Sequence, residues 1–137
     1  MKTPKIVFSE NPREVDWAGL KGTLTEDDFD NGRSADELRE SFVNSRHVCF
    51  AYIGGKLVGT GRLLSDGVAN AYLVDVWVLS KHRRRGIGAR IVSRLLDAVP
   101  GQHVFLQADD IRLYRRLGFR PQPVGMSLVA GLPRPSL

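Results

Sequence analysis

Apolar residues change their period along this chain, and each change marks an element. Between Val48 and Leu79 they come in short aromatic and β-branched runs, and after Gly86 they recur every three or four positions. The runs Val48 to Ile53 and Lys56 to Leu64 flank Gly54-Gly55, the signature of a hairpin closed by a two-residue primed turn. Ser65-Asp66-Gly67 turns the chain again before its most apolar strand, Ala71 to Leu79. Ile87, Ile91, Val92, Leu95 and Leu96 then form the stripe of an amphipathic helix whose wet side carries Arg90 and Arg94, and Pro100-Gly101 ends it. Upstream, Ile6 to Phe8 reads as a short strand and Val15 to Leu24 as a helix, separated by Asn11-Pro12; Asp27 to Gly32 is a loop. Ser34, with Glu37 three residues on, has the layout of a capping box for a second helix striped by Leu38, Phe42 and Val43. Downstream the pattern predicts a brief strand at Val104 to Leu106, a helix from Ile111 to Leu117 stopped by Gly118, a last strand from Gly125 to Val129 and a loose tail from Leu132 to Leu137. Such an order predicts an α/β layer architecture around a mixed sheet, in one domain covering residues 1–137.

One junction carries chemistry. The strand ending Val74-Asp75-Val76-Trp77-Val78-Leu79 runs through Ser80-Lys81-His82 into Arg83-Arg84-Arg85-Gly86-Ile87-Gly88-Ala89, which opens the amphipathic helix. Gly86 and Gly88 let backbone N–H groups converge, and the first helical turn leaves its N–H groups unpaired at the positive end of the helix dipole. An anion is the expected occupant. Three consecutive arginines add charge that a packing turn does not need, the alternative being a solvated basic turn. A dinucleotide fingerprint would need a third glycine where Ala89-Arg90-Ile91 stand, and Gly-Lys-Ser/Thr is absent, so neither that motif nor a nucleoside-triphosphate loop is present.

Read as [QR]-x-x-G-x-[GA], Arg83 to Gly88 resembles the pyrophosphate-binding signature of the GNAT superfamily of N-acetyltransferases. Leu113-Tyr114-Arg115-Arg116-Leu117-Gly118-Phe119 is similar to that family's (F/L)-Y-x-x-x-G-F element. The resemblance runs from roughly Val48 to Met126, and the segment before it matches only in pattern. It implies the acyl-CoA N-acyltransferase fold: a mixed central sheet with helices on both faces, and a cleft where two parallel strands, here Ala71 to Leu79 and Val104 to Leu106, splay apart around acetyl-coenzyme A. By the same resemblance, backbone groups of Val76 and Val78, on either side of Trp77, meet the pantetheine arm. The N–H groups of Arg84, Arg85, Gly86, Ile87, Gly88 and Ala89 hold the pyrophosphate, with the Arg83 side chain at the first motif position. The Val76 N–H, beside an expected strand irregularity, stabilises the oxyanion of acyl transfer, and Tyr114 contacts the coenzyme and protonates its departing thiolate. Asp75, a carboxylate inside an apolar strand, is either the base that deprotonates the amine or a carboxylate paired with a neighbouring arginine or backbone N–H. The asparagine often found seven residues before the family's tyrosine is Gln107 here.

Composition narrows the partners. The net charge is +5 and the sequence pI about 9.8, and ten arginines and lysines fall between Lys81 and Arg120, whereas Glu26 to Asp30 is acidic. This polarity suits a phosphorylated cosubstrate on one side and a cationic acceptor, a small-molecule amine or a protein amine, on the other, the alternative for the acidic run being a solvated loop. The basic stretch has neither a nucleic-acid motif nor interleaved aromatics, so no nucleic acid is expected. Tyr72, Trp77 and Met126 are candidates for an aromatic-amine pocket or for core packing. The single Cys49 excludes an internal disulfide and reads as core filler; His47, His82 and His103 lack metal-ligand spacing, so no metal is expected. Without a spanning apolar run or a signal-peptide layout, the expectation is a cytoplasmic enzyme with no membrane partner. Family members often form homodimers, and no residue here fixes an interface. The rival reading is a regulatory module that binds the coenzyme on the same fold but has lost turnover.

Overall fold

The computed structural model describes residues 5–136; Met1 to Pro4 and the tail's Leu137 lie outside the described residues. Five strands form one sheet in chain order: β1 (Ile6–Ser9), β2 (His47–Ile53), β3 (Lys56–Ser65), β4 (Asn70–Val78) and β5 (His103–Phe105). The first four pair antiparallel, and β5 pairs parallel to β4, so the sheet is mixed as the pattern predicts. Gly54 and Gly55 between β2 and β3 sit at φ 56° and 79°, the double left-handed conformation that a type I′ turn requires.

Helices α1 (Trp17–Glu26) and α2 (Ala35–Val43) cover one face, and α3 (Ile87–Asp97) the other. The capping box of α2 forms in full: Glu37 N–H donates to Ser34 Oγ at 3.1 Å, and Ser34 N–H to Glu37 Oε1 at 2.9 Å. Leu20, Leu24, Leu38 and Phe42 bury against Val48, Phe50 and Trp77, whereas Ile87, Ile91, Val92 and Leu95 bury against Cys49, Val58, Leu63 and Leu73. Gly61 on β3 lets α3 lie close, because a Cβ there would stand 2.7 Å from Ile91 Cγ2 and 3.0 Å from Leu95 Cδ1.

The last helix, α4 (Arg112–Arg116), packs Tyr114, with Leu117 and Phe119 beyond it, on the edge of the α3-side core. The strand expected at Gly125 to Val129 does not form. Those residues run as irregular chain with Met126, Leu128 and Val129 exposed. Alternation alone does not make a strand without a ladder to join, and Pro121 and Pro123 remove two donors just upstream.

Candidate active site

Two irregularities in β4 build the site. Its ladder with β5 covers only Asn70, Ala71 and Tyr72, paired with His103, Val104 and Phe105, so β4 runs on to Val78 with that edge open. On the other edge the register with β3 slips: Thr60 faces Trp77 and Arg62 faces Val74, leaving Gly61 opposite both Asp75 and Val76. This is a β-bulge, and Asp75 occupies it at φ 56°, a left-handed conformation that non-glycine residues seldom take. Leu79 N–H donates to Val58 O at 2.8 Å and Trp77 stands opposite Thr60. Alternation therefore turns the backbone groups of Val78 and Val76 towards the open edge.

Beyond β4 the chain makes one 3₁₀ turn at Ser80–His82 and then coils through two left-handed residues, Arg84 at φ 66° and Gly86 at φ 79°, into α3. Among the described residues no backbone or side-chain group accepts from the N–H groups of Arg84 to Ala89; the next one, Arg90 N–H, donates to Gly86 O at 3.1 Å. Six successive donors at a helix N-terminus thus stand free. A Cβ on Gly86 would enter open space with nothing within 4 Å, whereas one on Gly88 would touch Leu113 Cδ2 of α4 at 3.4 Å. Gly86 shapes the cradle, and Gly88 sits beside α4 with room for an ordinary contact. Ile87 contributes its N–H to the turn while its side chain is core.

The side chains divide differently from the backbone. Arg83 donates its Nε to Val78 O at 2.9 Å and an Nη to Asp27 at 3.3 Å, so the first motif position braces the turn from outside. Asp27, just past α1, also accepts from Trp77 Nε1 at 2.8 Å and from Ser80 Oγ. Burial raises the Asp27 pKa, but these hydrogen bonds and the Arg83 charge outweigh it and leave it below the ordinary value. Trp77 is core, with its indole N–H tied to that carboxylate, and Asp30 is paired with Lys21. Two members of the acidic run are therefore already committed internally.

Asp75 is clasped by two guanidiniums. Arg33 reaches it through both Nη atoms at 2.8 and 3.0 Å, and Arg62 through Nε at 2.6 Å. Burial pushes its pKa up, yet the arginine hydrogen bonds and charges prevail and hold it below the usual carboxylate range. Of the two roles open from sequence, the geometry favours the ion pair, because a carboxylate so stabilised is a weak base. Its depressed folded-state pKa makes the pair's contribution to stability complete above the ordinary carboxylate range, and that contribution is lost as pH falls through the folded value. Acid titration of stability should accordingly be shallower in Asp75→Asn than in the parent, measured by urea midpoints across the acid range. Arg33 and Arg62 carry no signal of their own in the sequence, and Asp27 stands out there only as part of the acidic run; a carboxylate in an apolar strand signals that an arginine or a backbone N–H must meet it, without saying which.

Tyr114 projects from α4, half-buried, edge-on to Phe119 with ring centroids 5.8 Å apart. Burial raises its pKa, so the phenol is protonated at neutral pH. It lines a cleft of about 1110 Å³ with Tyr72, Phe105, Gln107 and Met126, adjoining the β4–β5 splay. The arginine turn and the backbone of Val76 and Val78 do not line this cleft; the turn meets α4 through Leu113, beside Gly88. Cys49 is buried and its thiol is pushed up to about 11 by burial, which makes it an inert core residue. Among the described residues, no group of three or more histidine, cysteine or acidic side chains gathers to hold a metal, and no helix is long and apolar enough to cross a membrane.

Comparison with known proteins agrees with this layout. A profile of the acetyltransferase (GNAT) family matches residues 14–119. GCN5-related N-acetyltransferase 2, chloroplastic, from Arabidopsis thaliana is 30% identical over 76 residues, which are 52% of this chain and 30% of that protein. The chain thus matches under a third of its relative's length. A solved structure from Xanthomonas campestris pv. campestris, assigned to the GNAT acetyltransferases, superposes with a TM-score of 0.78 at 25% identity, covering 96% of this chain and 98% of the other. Glucosamine-6-phosphate N-acetyltransferase from Arabidopsis thaliana shares the fold, with a TM-score of 0.71 at 18% identity over 91% and 99% of the two chains.

Proposed function

Because this chain belongs to the GNAT family of acetyltransferases, we propose that it moves an acetyl group from acetyl-coenzyme A to a primary amine by direct attack in a ternary complex. The observation that carries this reading is the run of free N–H donors from Arg84 to Ala89 beside the open edge of β4. The donor set fits a diphosphate: consecutive backbone N–H groups at a helix N-terminus bind phosphate oxygens well, and at Gly86 the space a Cβ would take is left clear. Val76 and the N–H of Val78, whose carbonyl already accepts from Arg83, would hold the pantetheine amides as a neighbouring strand does.

When bound, acetyl-coenzyme A supplies the thioester carbon that the amine attacks. The residues do the rest. The Val76 N–H donates to the carbonyl oxygen as negative charge grows there, and removing such a donor typically costs about a hundredfold or more in rate. The Tyr114 hydroxyl would protonate the departing sulfur and regain its proton from solvent, and water would take the proton that the attacking amine sheds. The raised pKa of Tyr114 keeps it in the donating form. Asp75 has no place in this scheme as a base.

Tyr114→Phe should lower kcat by about a hundredfold with the coenzyme Kd changed little, since the phenyl ring keeps its packing on Phe119; an unchanged kcat would remove the assignment. Thiol release measured across polyamines, arylalkylamines, amino acids, aminoglycosides and peptide amino termini tests the activity itself. Coenzyme binding without turnover on any of them would point to a regulatory module.

A further inference from the structure

The bulge in β4 is held from three directions. A non-glycine residue in a left-handed conformation is strained and persists only where its surroundings over-determine it. Asp75 meets that condition: Thr60 Oγ–H donates to its carbonyl at 2.9 Å from a buried position on β3, Arg62 grips its carboxylate from the same strand, and Arg33 grips it from the loop between α1 and α2. Neither arginine is otherwise idle. Arg33 Nε donates to Asp30 O at 3.3 Å, and Asp30 is itself paired with Lys21 of α1. Arg62 reaches Ser45 Oγ at 3.3 Å just past α2 and lies over the Phe42 ring at 5.9 Å. One carboxylate therefore joins the helices that cover one face of the sheet to the bend that aims the next N–H.

We propose that Asp75 is a positioning residue, whose two-arginine clasp fixes the β4 bulge and so aims the Val76 N–H, and that Arg33 makes this aim depend on the loop between α1 and α2. The proposal rests on the acetyl-transfer reading for its kinetic consequence, and on the bulge alone for its structural one. A packing role would need no left-handed residue at this point, since an ordinary strand residue would bury as well. A base would need a carboxylate free to take a proton, and both oxygens here accept from guanidiniums.

The test pairs kinetics with the Val76 amide. Asp75→Asn keeps the shape and tolerates the left-handed conformation but loses the charge. It should lower kcat about tenfold to a hundredfold, leave the Kd for coenzyme A within about twofold, and retain both limbs of the pH profile. Arg33→Met should act in the same direction, Arg33→Lys should recover part of the loss, and the Val76 amide should exchange faster with solvent in both Asp75→Asn and Arg33→Met. Unchanged kcat and unchanged Val76 exchange in these variants would overturn the proposal. Loss of one pH limb in Asp75→Asn would make Asp75 the base and overturn it too. If Asp75→Asn does not fold, Arg33→Met carries the same readouts with the Arg62 pair intact. If the parent turns over no amine, the acetyl-transfer reading fails, and Val76 exchange alone decides whether the clasp holds the bulge.

Discussion

Gly61→Val should cost about 3 kcal/mol of folding stability, seen as a fall in Tm of roughly 10 °C. The new Cβ alone would lie 2.7 Å from Ile91 Cγ2 and 3.0 Å from Leu95 Cδ1, both on α3 and both buried, and two γ-methyls would follow it into the same space. Ile91 is fully buried, so α3 must lift from the sheet or the side chains must leave their rotamers. A lifted α3 carries the arginine turn with it, so coenzyme binding should weaken together with stability. Gly22→Ala on α1 is the control: nothing lies within 4 Å of a Cβ there, and the change should stabilise by about 0.5–1 kcal/mol through the unfolded chain. Thermal unfolding of the two variants checks the pair, and a Gly61→Val protein as stable as its parent would mean that α3 does not sit where described.

Gly86→Val should do the opposite, sparing the fold and removing the ligand. No atom lies within 4 Å of its Cβ, so the cost to the fold is only the strain of a β-branched residue at φ 79°, about 1–2 kcal/mol. The branched side chain would stand where free N–H donors converge and would bias the backbone away from the left-handed region that aims them. Losing two charge-assisted hydrogen bonds at about 1.5 kcal/mol each weakens binding about a hundredfold. Gly86→Ala, which adds strain with less bulk, should lose about tenfold. Calorimetry with coenzyme A measures both; a Gly86→Val protein that binds as the parent does would relocate the anion site.

The contrast between these glycines marks what could be read in the chain. Gly54-Gly55, the Ser34–Glu37 box and the Ile87 to Leu95 stripe are local patterns, each fixed by conformations a few residues wide, and they appear in the structure where expected. Gly86 was legible for the same reason. Gly61 was not, because its purpose is a helix that packs across the sheet, and nothing near it in sequence hints at Ile91. Asp75 shows the same limit, since its partners stand 42 and 13 residues away, as does Trp77, whose indole finds Asp27 at a separation of 50. Gly125 to Val129 failed in the other direction: its alternation suits a strand, but a strand is a relation between two segments, and among the described residues no neighbour pairs with it.

The bulge and the splay follow from pairing as well, yet their trace was present in an acidic residue lodged among Val74, Val76 and Trp77. Such a residue announces that something must meet it, and the structure supplies two arginines, one from β3 and one from the loop between α1 and α2.

The grip of the turn from Arg83 to Ala89 on a diphosphate underlies the proposed activity. Isothermal titration of the full chain with acetyl-coenzyme A should give saturable one-site binding in roughly the micromolar range, competed by coenzyme A and weakened as described in Gly86→Val. Absence of heat up to millimolar ligand, or binding indifferent to Gly86→Val, would contradict it.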